Sequence, residues 1–121
     1  MAADREKILF LYPGLELTGT YRDIIKGVGV PPQGICQLAA VTRVLGYPTA
    51  IIDAMVLGLD APKTVDAVLA QAPAIVGISC TTMQIIAAGA IATELKRRRP
   101  DLTVLIGGPH VTVLAGETMT R

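Results

Sequence analysis

Two stretches of this chain carry residue types suited to holding a ligand. Ser79-Cys80-Thr81-Thr82-Met83-Gln84 follows the apolar run Ala74-Ile-Val-Gly-Ile78, and Gly107-Gly108-Pro109-His110 follows Leu102-Thr-Val-Leu-Ile106. A hydroxyl both donates and accepts, so Ser79, Thr81 and Thr82 suit a buried nitrogen or a phosphate oxygen. Gly107 and Gly108 lack Cβ and let a bulky group press on the main chain. The chemistry this predicts is binding through backbone and hydroxyl contacts, without a catalytic side chain. Ser79 and Gly107 are 28 positions apart, about one strand–helix–strand unit. The two stretches are therefore expected side by side at the carboxyl edge of a parallel sheet, where such sheets hold ligands.

The remaining candidates point elsewhere. His110 is the only histidine; with no partner at metal-ligand spacing it reads as a loop or helix-start residue beside the site. Asp53 ends a strand and is expected to cap the next turn. The run Lys96-Arg-Arg-Arg99 sits at a helix C-terminus, where cations complement the macrodipole and face solvent. Met83 in isolation reads as core before ligand. Cys36 and Cys80 form no C-x-x-C and read as small buried residues in a reducing compartment. Thr18-Gly19-Thr20 has the hydroxyl and glycine content of a phosphate loop, so Thr18 and Gly19 join the candidate cofactor contacts.

The elements that must position these residues alternate. Strands are expected over 7–12, 49–52, 74–78 and 102–106. Helices are expected over 34–45, from Pro62 to Pro73, and over 84–99, with a further helix starting near Val111 or Thr112. The inward stripes are Ile35, Leu38, Ala39, Thr42 and Leu45, then Val65, Val68, Leu69 and Ala72. The first half of the third helix is apolar nearly all round and is expected to be deeply covered. Gly46 is the C-cap of the first helix, and the glycines and prolines between 13 and 34 predict a long loop. Strand–helix alternation predicts an α/β fold, a doubly wound parallel sheet of flavodoxin-like, Rossmann-like order 2-1-3-4-5. No fifth strand is visible, so the domain over 1–121 reads as truncated. That exposes the fourth strand as an edge for self-association, a possible homo-oligomer.

Composition narrows the function classes. The 121 residues make one domain, 51% apolar and 17% charged, which suits strands buried on both faces. A net charge of +1, three Tyr, one Phe and no Trp argue against a nucleic-acid partner. No segment reaches the roughly 18 apolar residues of a membrane span, and the N-terminus does not read as a signal peptide, so a cytoplasmic protein is expected. The acidic pair of a phospho-receiver is missing, and Gly27-Val-Gly29-Val-Pro-Pro32 lacks the third glycine of a dinucleotide loop. A flavodoxin-like flavin-binding electron carrier and a non-catalytic interaction domain remain as alternatives.

Several motifs together carry a family resemblance. Pro31-Pro32-x-Gly34-Ile35, Leu38-Ala-Ala40, Gly46-Tyr47-Pro48, Ile52-Asp53, Val76-Gly-Ile-Ser-Cys-Thr-Thr-Met83 and Ile106-Gly-Gly-Pro-His-Val-Thr112 follow one another in fixed order. In this the chain resembles the N-terminal cobalamin-binding domain of B12-dependent radical SAM proteins, above all the magnesium-protoporphyrin IX monomethyl ester cyclases and related C-methyltransferases. The resemblance implies that the corrin lies over the carboxyl edge and the nucleotide tail enters a slot lined by Ser79, Gly107 and Gly108. Thr81, Thr82, Met83 and Gln84 would face the corrin or its amides. It implies a cobalt-containing cofactor held base-off and a radical SAM domain as partner. The loop Pro13-Gly-Leu-Glu-Leu-Thr-Gly-Thr20 lacks the histidine that ligates cobalt in the wider cobalamin-domain family, so no histidine lower ligand is expected. No Cys-x-x-x-Cys-x-x-Cys occurs, so this chain is expected to hold no iron–sulfur cluster and not to be an enzyme alone.

Overall fold

The computed structural model describes residues 4–15 and 29–120. Apolar runs of five residues form β1 (Ile8–Tyr12), β2 (Thr49–Asp53), β3 (Ile75–Ser79) and β4 (Thr103–Gly107). The helices are α1 (Gln33–Val44), α2 (Ala54–Leu57), α3 (Ala61–Ala70), α4 (Ile85–Arg98) and α5 (Pro109–Met119), with a 3-10 turn at Thr82–Gln84. Every strand pair is parallel and the order is β2-β1-β3-β4. This is the flavodoxin-like arrangement expected from strand–helix alternation, with its switch point between β1 and β3.

The differences from expectation are local. β3 and β4 each run one residue further, so Ser79 and Gly107 are final strand residues, paired in register. α5 begins at Pro109, whose fixed φ and missing N–H suit a first helical position. α2 was not anticipated. Asp53 Oδ1 accepts from Val56 N at 3.1 Å, and Gly58 closes the turn at φ +65°, so capping at both ends sustains a helix too short to show periodicity.

One face of the sheet holds the core. Leu9, Leu11, Ile52, Val76 and Ile78 pack against Val65 and Val68 of α3 and Ala88, Ile91 and Leu95 of α4. α1 lies on the opposite face, against β1 and β2, as right-handed crossovers require. It buries Ile35 and Ala39, while the Thr42 and Thr49 hydroxyls pair at 2.9 Å. The expected stripes are too wide. Leu38 and Leu45 are 53% and 56% exposed, and Ile86 on α4 is 66% exposed. Ala72 falls outside α3, exposed, at φ +49°. Cys36 is also exposed. The cause is shared: each helix meets one sheet face, and among the described residues no second layer covers its outer side.

The basic run is a solvated surface, as expected. Arg97 and Arg98 both bond Glu94, and Arg98 also bonds Asp66. Hydrogen bonds from Arg97 and then Arg98 hold the Glu94 carboxyl down at about 2. Lys96 Nζ donates to Pro100 O at 2.8 Å and Leu102 O at 2.7 Å, fastening the α4–β4 turn. β4 has no strand on its outer side among the described residues. An open groove of about 630 Å³ lies beside that edge, lined by Ala92, Lys96, Leu102, Val104 and Ile106.

Candidate cofactor site

Strand alternation places Phe10, Gly77, Ser79, Leu105 and Gly107 on the sheet face opposite the core. α1 covers only the β1–β2 half of that face. Over β3 and β4 the described residues supply no helix, and Leu105, mid-strand, is 59% exposed. Gly77 contributes no side chain; a Cβ there would lie 3.1 Å from Phe10 Cδ1, so the Phe10 ring spreads into its place. Phe10, Gly77 and Leu105 thus floor a trough that opens at Ser79 and Gly107. One wall follows from helix phase. At 100° per residue from Ile35 and Ala39, the exposed Leu38 projects from the flank of α1 that a right-handed crossover turns toward β3.

The paired glycines do different work. A Cβ on Gly107 would meet nothing within 4 Å, so its missing side chain leaves open space at the mouth of the trough. Gly108 sits at φ +97°, and a Cβ there would lie 2.8 Å from Cys80 N, Cys80 O and Ser79 Oγ. Its small size serves the close approach of two chain segments. Cys80 N donates to Gly107 O at 3.1 Å and His110 N donates to Cys80 O at 3.4 Å. The loops after β3 and β4 are thereby joined through their backbones.

The other candidates divide. Ser79 is half-buried on the trough side, and none of the described side-chain hydrogen bonds engages its hydroxyl. Thr82 Oγ1 and His110 Nδ1 lie 3.0 Å apart and bridge the two loops. Met83, 72% exposed, is not core; with the exposed Pro109 it stands on the same rim. Cys80 turns inward, as its reading as a small buried residue has it and away from the cofactor contact also considered for it, and Gln84 turns inward, against the expectation that it meets the cofactor. Cys80 is fully buried in the core cluster, and Gln84 is fully buried with its amide committed to protein partners. Thr81 spends its N–H and hydroxyl on Gln84 Oε1, at 2.9 and 3.1 Å. Thr18 and Gly19 lie outside the described residues. The sequence reading passed over Gly77, Leu105 and Phe10 as contributors. A glycine inside a strand was the available signal, because it marks close approach to a backbone.

Burial pushes the Cys80 thiol above its ordinary range, while Cys36 is exposed. A thiol reagent at neutral pH is expected to label Cys36 rapidly and Cys80 only on unfolding. Mass spectrometry of the native protein checks this; equal labelling of both would contradict a buried Cys80.

A family model described as the B12 binding domain matches residues 27–121. The match spans most of the chain, and the chain belongs to the B12-binding domain family. Cobalamin is the ligand that this membership supports. None of the curated proteins matches the chain. The residues fit such a cofactor: a side-chain-poor mouth, a Ser79 hydroxyl without a partner among the described residues, and an apolar strip of sheet behind them. No helix among the described residues is long and apolar enough to cross a membrane.

Proposed function

We propose that the chain holds cobalamin base-off, with the nucleotide tail in the trough over β3 and β4, and offers the cobalt's upper face to a radical SAM domain. The observation that carries this reading is the open space beside Gly107, next to the hydroxyl of Ser79, at the carboxyl edge of the sheet. Gly107 admits the tail to the backbone, Ser79 bonds a polar atom of it, and Leu105 and the α1 flank bury its apolar faces. Thr82 and His110 brace the rim on which the corrin rests. The sequence Pro13–Thr20 that follows β1 contains no histidine, which supports a cobalt without a histidine lower ligand; the sole histidine, His110, stands in the first turn of α5. Bound cobalamin supplies methyl-group or radical chemistry at its cobalt; the chain supplies position and shielding. The radical SAM partner carries the iron–sulfur cluster, and the setting is cytoplasmic.

Incubation with hydroxocobalamin, gel filtration and a visible spectrum test the proposal. A retained cofactor with a base-off spectrum is expected. A base-on spectrum would contradict the tail-in-trough arrangement. Retention of flavin mononucleotide in place of cobalamin would overturn the ligand and favour the electron-carrier reading.

A further inference from the structure

We propose that Gln84 is a positioning residue that sets the spacing of the β1 and β3 loops at the mouth of the cofactor trough. The proposal rests on the reading that cobalamin occupies this edge of the sheet.

The geometry is specific. Gln84 is fully buried. Its Nε2 donates to Pro13 O at 2.7 Å, across 71 positions of sequence. Its Oε1 accepts from Thr81 N at 2.9 Å and Thr81 Oγ1 at 3.1 Å. The β1–β3 ladder ends at Leu11↔Ile78. Pro13 and Thr81 lie just beyond that last pair, where the two strands stop holding each other. The Gln84 amide takes over as the tie at the topological switch point.

The residue type follows from the partners. The Pro13 carbonyl needs a donor, and the Thr81 N–H needs an acceptor. An amide presents both on one planar group. Ionised glutamate lacks the donor, methionine lacks both, and asparagine is one methylene short. Gln84 itself faces away from the trough. Its effect passes through Thr81 to the adjacent Thr82, which pairs with His110 of the next loop, and through Pro13 to the chain leaving β1. All three loop ends are thus referenced to one buried side chain.

The test uses Gln84→Met and Gln84→Glu in the full chain, with cobalamin titrations at temperatures where circular dichroism shows each variant folded. Gln84→Met is expected to weaken hydroxocobalamin binding about tenfold, in line with a buried polar group left unsatisfied. Gln84→Glu is expected to show the same loss at neutral pH, where its carboxylate opposes the Pro13 carbonyl. Burial and that carbonyl raise the carboxyl's pKa, against the Thr81 N–H and hydroxyl, which favour the carboxylate. Affinity should therefore recover relative to wild type as pH falls and the protonated carboxyl donates to Pro13 O. Such acid rescue is not expected of a residue that only fills space. Wild-type affinity in both folded variants, or a Gln84→Glu loss with no acid rescue, would overturn the proposal. Amide hydrogen exchange on the cofactor-free protein gives an independent reading. Gln84→Met should speed exchange at Thr81 N–H while the N–H groups of β1 and β3 keep their rates; unchanged exchange at Thr81 would overturn the tie. Wild-type protein that takes up no cobalamin refutes the ligand and not the tie, which the exchange measurement still decides.

Discussion

Gly107→Val is expected to lose cobalamin and keep its fold. Gly107 ends β4 with an ordinary φ, and a Cβ there meets no atom within 4 Å. A β-branched residue is well suited to a strand, so the apo domain should melt close to wild type. The added methyl groups project into the mouth of the trough, beside Ser79. Forcing extra methyl groups into an occupied site costs ~1–3 kcal/mol, which is roughly a 5- to 150-fold loss of affinity. Calorimetric or absorbance titration with hydroxocobalamin, paired with a thermal melt, measures both quantities. Wild-type affinity in a folded Gly107→Val protein would place the cofactor somewhere other than this trough.

The same substitution one residue later should behave in the opposite way. Gly108 holds φ +97°, and a Cβ would stand 2.8 Å from both backbone polar atoms of Cys80. The extended positive-φ conformation of Gly108, with ψ −176°, is essentially confined to glycine and costs a side-chain-bearing residue roughly 1–3 kcal/mol, and the contact with immobile backbone adds ~1–3 kcal/mol. Gly108→Val is therefore expected to lower stability by about 3 kcal/mol, or roughly 10 °C in melting temperature for a domain of this size. Cobalamin binding would fall with it, because the Cys80–Gly107 and His110–Cys80 bonds that align the two loops are broken. A Gly108→Val protein that melts like wild type would show that the backbone can relax around the added atoms. Gly108 is thus no clean probe of the ligand, although sequence alone makes it look equivalent to Gly107.

How much was legible before any coordinates follows from the range of the forces involved. The strands were found to within one residue because each is a five-residue apolar run bounded by turn formers, a local property. Sheet order followed from strand alternation and crossover handedness. Ser79 and Gly107 were placed together because one strand–helix–strand unit returns the chain beside itself. The buried stripes are narrower than the periodic ones, since periodicity shows which residues are able to face inward, not how much partner surface awaits them. Leu38 and Leu45 keep the spacing of core residues and stand exposed.

Local pattern and composition thus dictated an α/β domain whose third and fourth strands end side by side at one edge of the sheet. Neighbouring residues of like type were told apart only by their three-dimensional surroundings. Gly107 leaves open space while Gly108 relieves a collision, and Ser79 lies on the face opposite the core while Cys80 joins the core. Gln84 carries no motif that announces a partner 71 positions away. Those distinctions depend on which segments approach within a few ångströms, and that is set by contacts between residues far apart along the chain.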